Sequence, residues 1–127
     1  MNILIIGPKG AGKALLAQSL SRALDATCVS ERDIRTDFND WDNSPAGVWR
    51  LGVRLTLLSK EVKEYLVIEA SSLPSNFSPD NIIFMDTLDN TLEVPKKAIV
   101  VSTRGWWKAS WVRYWTKIIL DNCLSEF

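Results

Sequence analysis

The residues with the clearest chemical potential are Gly7-Pro8-Lys9-Gly10-Ala11-Gly12-Lys13-Ala14. Glycines at this spacing let backbone N–H groups turn inward around a phosphate, and a lysine directly after the last glycine brings an ammonium to the terminal phosphates. The same pattern calls for a serine or threonine hydroxyl in its final place, where it ligates Mg²⁺. Ala14 stands there instead. Gly7, Lys9, Gly10, Ala11, Gly12, Lys13 and Ala14 are therefore the expected contacts to a nucleotide, with ATP the expected ligand and Mg²⁺ held at a weakened site. Lys13 is also the first candidate catalytic group, because phosphoryl transfer rests on positioning and charge neutralisation. The competing reading is a glycine turn that only opens a helix and binds nothing.

A phosphate loop works only between a strand and a helix. The run Ile3-Leu4-Ile5-Ile6 precedes the glycines, and Leu15, Leu16, Leu20, Ala23 and Leu24 follow at helical spacing. Further strand-like runs fall at Thr27–Val29, Tyr65–Glu69, Ile82–Met85 and Ala98–Val101. A second helical stripe comprises Val48, Leu51, Leu55, Leu58 and Val62. Strands alternating with helices predict an α/β fold, a P-loop NTPase-type three-layer sandwich with a small, mostly parallel sheet of about five strands. With 127 residues, 46% of them apolar, the chain supports one core and is expected to be a single domain over 1–127. Ligands of such sheets sit at the carboxyl ends of the strands, which directs attention to Ser30–Arg35, Glu69–Pro74 and Asp86.

Composition narrows the chemistry further. There is no histidine, and two cysteines, Cys28 and Cys123, do not make a zinc site. Net charge is zero, so nothing global demands nucleic acid or a membrane. No segment approaches the ~20 apolar residues of a membrane span, and no secretory signal is evident; a cytoplasmic, reducing setting is expected. The charge is unevenly distributed: Lys96, Lys97, Arg104, Lys108, Arg113 and Lys117 occupy a stretch without an acid, whereas Glu61–Glu93 is acidic. Solvated faces of opposite sign account for this pattern, and nucleic-acid binding has no accompanying motif.

Several segments after the second strand resemble the adenylylsulfate kinase family, especially the short versions carried by bacteriophages. They are Ser30-Glu31-Arg32-Asp33-Ile34-Arg35, Phe38-Asn39-Asp40-Trp41-Asp42-Asn43-Ser44-Pro45, and Gly47 with Arg50 and Arg54. Phe84-Met85-Asp86-Thr87 and Glu93-Val94-Pro95 resemble two later elements of the same versions. The resemblance implies ATP- and Mg²⁺-dependent phosphorylation of the 3′-hydroxyl of adenylylsulfate or a related small nucleotide, in the host cytoplasm if the chain is viral. It also implies that Arg35, with Arg50 or Arg54, anchors the acceptor; an arginine fork suits sulfate or phosphate. Ordinary surface arginines on a helix are the alternative.

Departures from the family pattern are equally specific. Where it reads Asp-Gly-Asp, this chain reads Ser30-Glu31-Arg32, so a cation replaces an acid; Asp33 survives one place along and Glu31 one place back, neither at the motif's position. Ser71 stands in place of a stacking phenylalanine, and only seven residues separate Thr87 from Pro95, where the family inserts a longer closing segment. Glu69, ending the third strand, is the remaining candidate acid, either metal-supporting or simply solvated. Asp33 and Glu69 thus join Lys13 as candidate catalytic residues.

Four of the six tryptophans lie between Arg104 and Trp115. Helical spacing puts Trp107, Trp111, Trp115 and Ile118 on one face, expected to pack on the sheet, with Trp106, Arg113 and Lys117 opposite. Trp106 and this helix are the candidate surface for a protein partner. The sequence therefore supports an ATP-binding P-loop protein with weak or absent phosphoryl transfer. Two alternatives stand beside it: an active small-molecule kinase, and a pseudokinase acting as an interaction module.

Overall fold

The computed structural model describes residues 1–86, 97–103, 106 and 110–124. Thr87, Glu93-Val94-Pro95, Lys96, Arg104, Trp107 and Lys108, all singled out above, lie outside the described residues. Five strands, β1 (Asn2–Ile6), β2 (Thr27–Ser30), β3 (Leu66–Ala70), β4 (Asn81–Asp86) and β5 (Ile99–Ser102), form one sheet in the order β2-β3-β1-β4-β5. Every pairing among them is parallel. Four helices accompany the strands: α1 (Lys13–Leu24), α2 (Glu31–Asp37), α3 (Pro45–Glu61) and α4 (Trp111–Leu124). The expected α/β sandwich is thus observed, with its five strands shifted by no more than one residue at either end.

Strand β1 occupies the centre, and its unbroken apolar run is what a strand covered on both faces requires. Ile3 and Ile5 point to one layer, where Leu16, Ala17 and Leu20 of α1 meet Ile119 and Cys123 of α4. Leu4 and Ile6 point to the other, against Ile34 of α2, Leu51 and Leu55 of α3, and Phe77. Both layers close on a strand with no exposed residue along the run Ile3–Ile6.

Helix α2 was not anticipated. Its start is a capping box: the Ser30 hydroxyl accepts from the Asp33 N–H at 3.1 Å, and the Asp33 carboxylate accepts from the Ser30 N–H at 3.4 Å. The Ser-x-x-acid signal for this was present in the sequence. Helix α3 opens with Pro45 in its first turn, and the Ser44 hydroxyl accepts from the Gly47 N–H at 3.4 Å. Gly47 is needed here because a Cβ would run into the Asp42 carbonyl.

The buried row of α4 differs from the expected one. Trp111, Ile119 and Cys123 are buried and the half-buried Trp115 packs against their cluster, whereas Ile118, equally half-buried, is not part of it. Contacts follow the i, i+4 row 111, 115, 119, 123, which leans across the helix axis instead of returning to position 118. The Trp115 indole donates to the Ser102 carbonyl at 3.0 Å, and Thr116 donates to Ser19 of α1 at 2.8 Å, so α4 is pinned to both β5 and α1. No helix among the described residues is long and apolar enough to cross a membrane.

Candidate functional site

At the carboxyl ends of β1 and β3 the sheet opens into a cavity of about 720 Å³. The glycine loop and the first turn of α1 form one wall, through Lys9, Gly10, Gly12, Lys13, Ala14 and Leu15. Ser30, Glu31 and Arg32 at the start of α2 form the opposite wall, and Glu69, Ala70 and Ser71 close the end of β3. This is where the alternation of strands and helices had directed attention.

The loop keeps its shape through two close approaches. A Cβ on Gly7 would lie 2.8 Å from the Met85 Cβ, and one on Gly12, whose φ is +95°, would lie 2.7 Å from the Trp111 ring. Trp111 therefore backs the loop from the α4 side. Gly12 also caps α1 without any side-chain hydrogen bond, and no acid stands in that helix's first turn. The N–H groups opening α1 thus remain free of a side-chain cap, as an anion-binding turn requires.

Lys13 bridges the two strand exits. Its ammonium donates to the Gly7 carbonyl at 2.8 Å and to the Ala70 carbonyl at 3.3 Å. Partial burial pushes its pKa below the ordinary lysine value, while the charges of Glu69 and Glu31 pull the other way. Both carboxylates line the cavity. Glu31 in addition accepts from the Ser71 hydroxyl at 3.1 Å and stands 3.6 Å from Arg35 Nε. Asp33 lies outside the cavity lining, with its carboxylate engaged in the capping box. Glu31, which the motif comparison places one residue before the lost acid without counting it among the catalytic candidates, is the acid of this segment that faces the cavity; the capping box was the signal that could have separated it from Asp33.

The three arginines expected to anchor an acceptor are engaged elsewhere. Arg35 is 6% exposed and donates to the main-chain carbonyls of Asp40 and Asp42, at 3.2 and 3.0 Å. Arg50 grips the Asp40 carboxylate with Nε at 2.8 Å and Nη2 at 3.1 Å, and reaches Asp42 at 3.0 Å. Arg54 bonds Asp40 at 2.9 Å while its guanidinium lies 4.1 Å from the centre of the Phe38 ring. None of the three lines the cavity. Together they clasp the segment joining α2 to α3, so the arginine and aspartate letters of the motif meet as partners.

Asp40 carries the pH signature of this clasp. Hydrogen bonds from Arg50, the Asp42 N–H and Arg54 outweigh desolvation and hold its carboxyl well below the usual carboxylate range. A folded pKa below the unfolded value of about 3.9 stabilises the fold at higher pH, and that contribution is lost as pH falls below about 4 toward the depressed value. Melting temperature is expected to drop across that window, and Asp40→Asn to flatten the drop while melting lower at neutral pH. Calorimetric melts between about pH 7 and pH 2 check this; a variant whose profile parallels the parent would contradict it.

The donors that the cavity presents do not suit Mg²⁺. Ala14 offers a methyl group where the hydroxyl would stand, and Arg32 a cation. Two carboxylates remain, Glu31 already bonded to Ser71 and Glu69 beside Lys13. This set lacks the hydroxyl that the loop normally supplies to the ion and does not fit it.

Outside the cavity, Trp106, 39% exposed, stacks on Tyr114 with ring centres 5.0 Å apart, and Tyr114 meets Trp115 edge-on at 5.5 Å.

No family model and no curated protein sequence matches this chain. Solved structures do. A shikimate kinase from Acinetobacter baumannii, in complex with shikimate, superposes with a TM-score of 0.61 at 15% identity, covering 98% of this chain and 93% of that one. An APS kinase from Mycobacterium tuberculosis gives 0.66 at 16% identity, covering 97% and 96%. A thymidylate kinase from Ehrlichia chaffeensis gives 0.58 at 12% identity, covering 97% and 98%. All three are kinases, and over nearly their full lengths this chain shares the P-loop kinase fold.

Proposed function

We propose that this protein binds ATP through the glycine loop and Lys13 and transfers phosphate weakly or not at all. The observation that carries the reading is the cavity itself: an uncapped helix start, a loop held open by Gly7 and Gly12, and an ammonium at the junction of β1 and β3. Gly7, Lys9, Gly10, Ala11, Gly12 and Ala14 shape the phosphate path, and Lys13 neutralises the terminal phosphates. Motif kinship points to adenylylsulfate as the ancestral acceptor. The loss of the loop hydroxyl and the engagement of Arg35, Arg50 and Arg54 with Asp40 and Asp42 argue against efficient turnover.

A second reading, an active small-molecule kinase, is favoured by Glu31 and Glu69. Either carboxylate lies in the cavity and is placed to accept a proton from an acceptor hydroxyl, a role for which Asp33 is less suited. A third, an interaction module, is favoured by the exposed Trp106 and Tyr114 stack.

The test is a calorimetric titration with ATP followed by measurement of ADP release in the presence of adenylylsulfate, shikimate or thymidylate. Binding with ADP release no faster than in the absence of acceptor is the expected result. Acceptor-dependent ADP formation would establish the active kinase, and the absence of any heat of binding would remove ATP from the account.

A further inference from the structure

The geometry points to a phosphate site in which the Arg32 guanidinium, and not a divalent cation, balances the charge of the bound nucleotide. This rests on the ATP-binding reading above and deepens it, since it concerns which form of the nucleotide the cavity takes.

Three observations converge. First, the donor set does not fit Mg²⁺: the loop's hydroxyl position is Ala14, which offers the ion no oxygen, and the wall facing it carries the Arg32 cation. Second, Arg32 sits across the cavity from the loop. The capping box fixes it in the first turn of α2, and it is exposed on the cavity wall. Third, its guanidinium has no hydrogen bond or ion pair among the described residues, in contrast to Arg35, Arg50 and Arg54, each of which is engaged. An arginine in this position is available to an incoming anion without first breaking a contact.

Chemistry favours the exchange. A guanidinium presents a planar fork of donors that matches two phosphate oxygens at once, and it does so without assembling a coordination shell of oxygens. Together with the backbone amides of the loop and the Lys13 ammonium, it supplies positive groups on both sides of a polyphosphate. A Mg²⁺ ion already attached to the nucleotide would bring a second cation into the space Arg32 faces, with no hydroxyl from the loop to receive it. Free ATP is therefore the better ligand, and Mg²⁺ competes with the protein for the phosphates. Where the adenylylsulfate kinase pattern carries an acid, this chain carries a cation that stands in for the metal's charge.

Titration of the full chain with ATP, once in EDTA and once in excess Mg²⁺, tests the assignment, with Arg32→Ala, Arg32→Lys and Arg32→Asp run alongside. The parent is expected to bind ATP at least as tightly in EDTA as in Mg²⁺. Arg32→Ala is expected to lose at least tenfold in EDTA, Arg32→Lys to recover part of that loss, and Arg32→Asp to bind only when Mg²⁺ is present. Melting temperatures of the variants should match the parent, since the side chain is exposed. Parent binding that is tighter in Mg²⁺ than in EDTA, or an Arg32→Ala variant with unchanged affinity in EDTA, would overturn the assignment while leaving ATP binding intact. No binding by the parent in either buffer would overturn both.

Discussion

Replacing Lys13 by alanine is expected to lower ATP affinity by roughly a hundredfold, equivalent to about 2.7 kcal/mol. Charge-assisted hydrogen bonds contribute about 1.5–3 kcal/mol each, and this ammonium is positioned to make more than one with the terminal phosphates. In the structure the same group holds the carbonyls of Gly7 and Ala70, at the exits of β1 and β3. Binding therefore exchanges those neutral acceptors for anionic ones without moving the lysine far. The variant loses two partly buried hydrogen bonds, so its melting temperature should fall by several degrees, and calorimetric titration separates affinity from folding. Near-parental affinity in Lys13→Ala would mean that ATP binds away from the loop.

The largest expected effect on stability belongs to Arg35. Its guanidinium is buried, holds two main-chain carbonyls of the segment between α2 and α3, and stands beside Glu31. Arg35→Ala leaves those carbonyls without the Arg35 donor and Glu31 without its nearest counter-charge, at a cost of about 3 kcal/mol. For a domain of this size that lowers the melting temperature by about 10 °C. Arg50→Ala, whose side chain is 41% exposed, should lower the melting temperature far less. A melting temperature unchanged in Arg35→Ala, with acceptor binding lost, would return this residue to the anchoring role that the motif implies.

What was legible in the sequence was whatever depends on local pattern. The apolar run Ile3–Ile6, the glycines and the helical stripe after Lys13 identify β1, the loop and α1 because each follows from burial on a fixed period or from the conformational demands of a tight turn. The parallel sheet follows from their alternation. Helix α2 escaped notice because seven residues with one buried apolar side chain, Ile34, show no period. The engagement of Arg35, Arg50 and Arg54 was hidden for a different reason. A sequence states charges, but whether an arginine meets a ligand or Asp40 depends on how the segment 38–44 folds back on α3. The roles of Glu31 and Asp33 turned on a single capping interaction, which sends one carboxylate to the cavity and the other to the Ser30 N–H.

The central place of β1 also bears on how the chain is made. Its two partners begin at Leu66 and Asn81, so synthesis in the amino-to-carboxyl direction produces the most apolar strand some sixty residues before anything can pair with it. Until then Ile3 and Ile5 have only α1, and Leu4 and Ile6 only α2 and α3, to lie against, and pairings this distant in sequence are slow to form. The nascent chain is consequently most prone to self-association before β3 emerges, and chaperone dependence should appear there, well before the cavity exists.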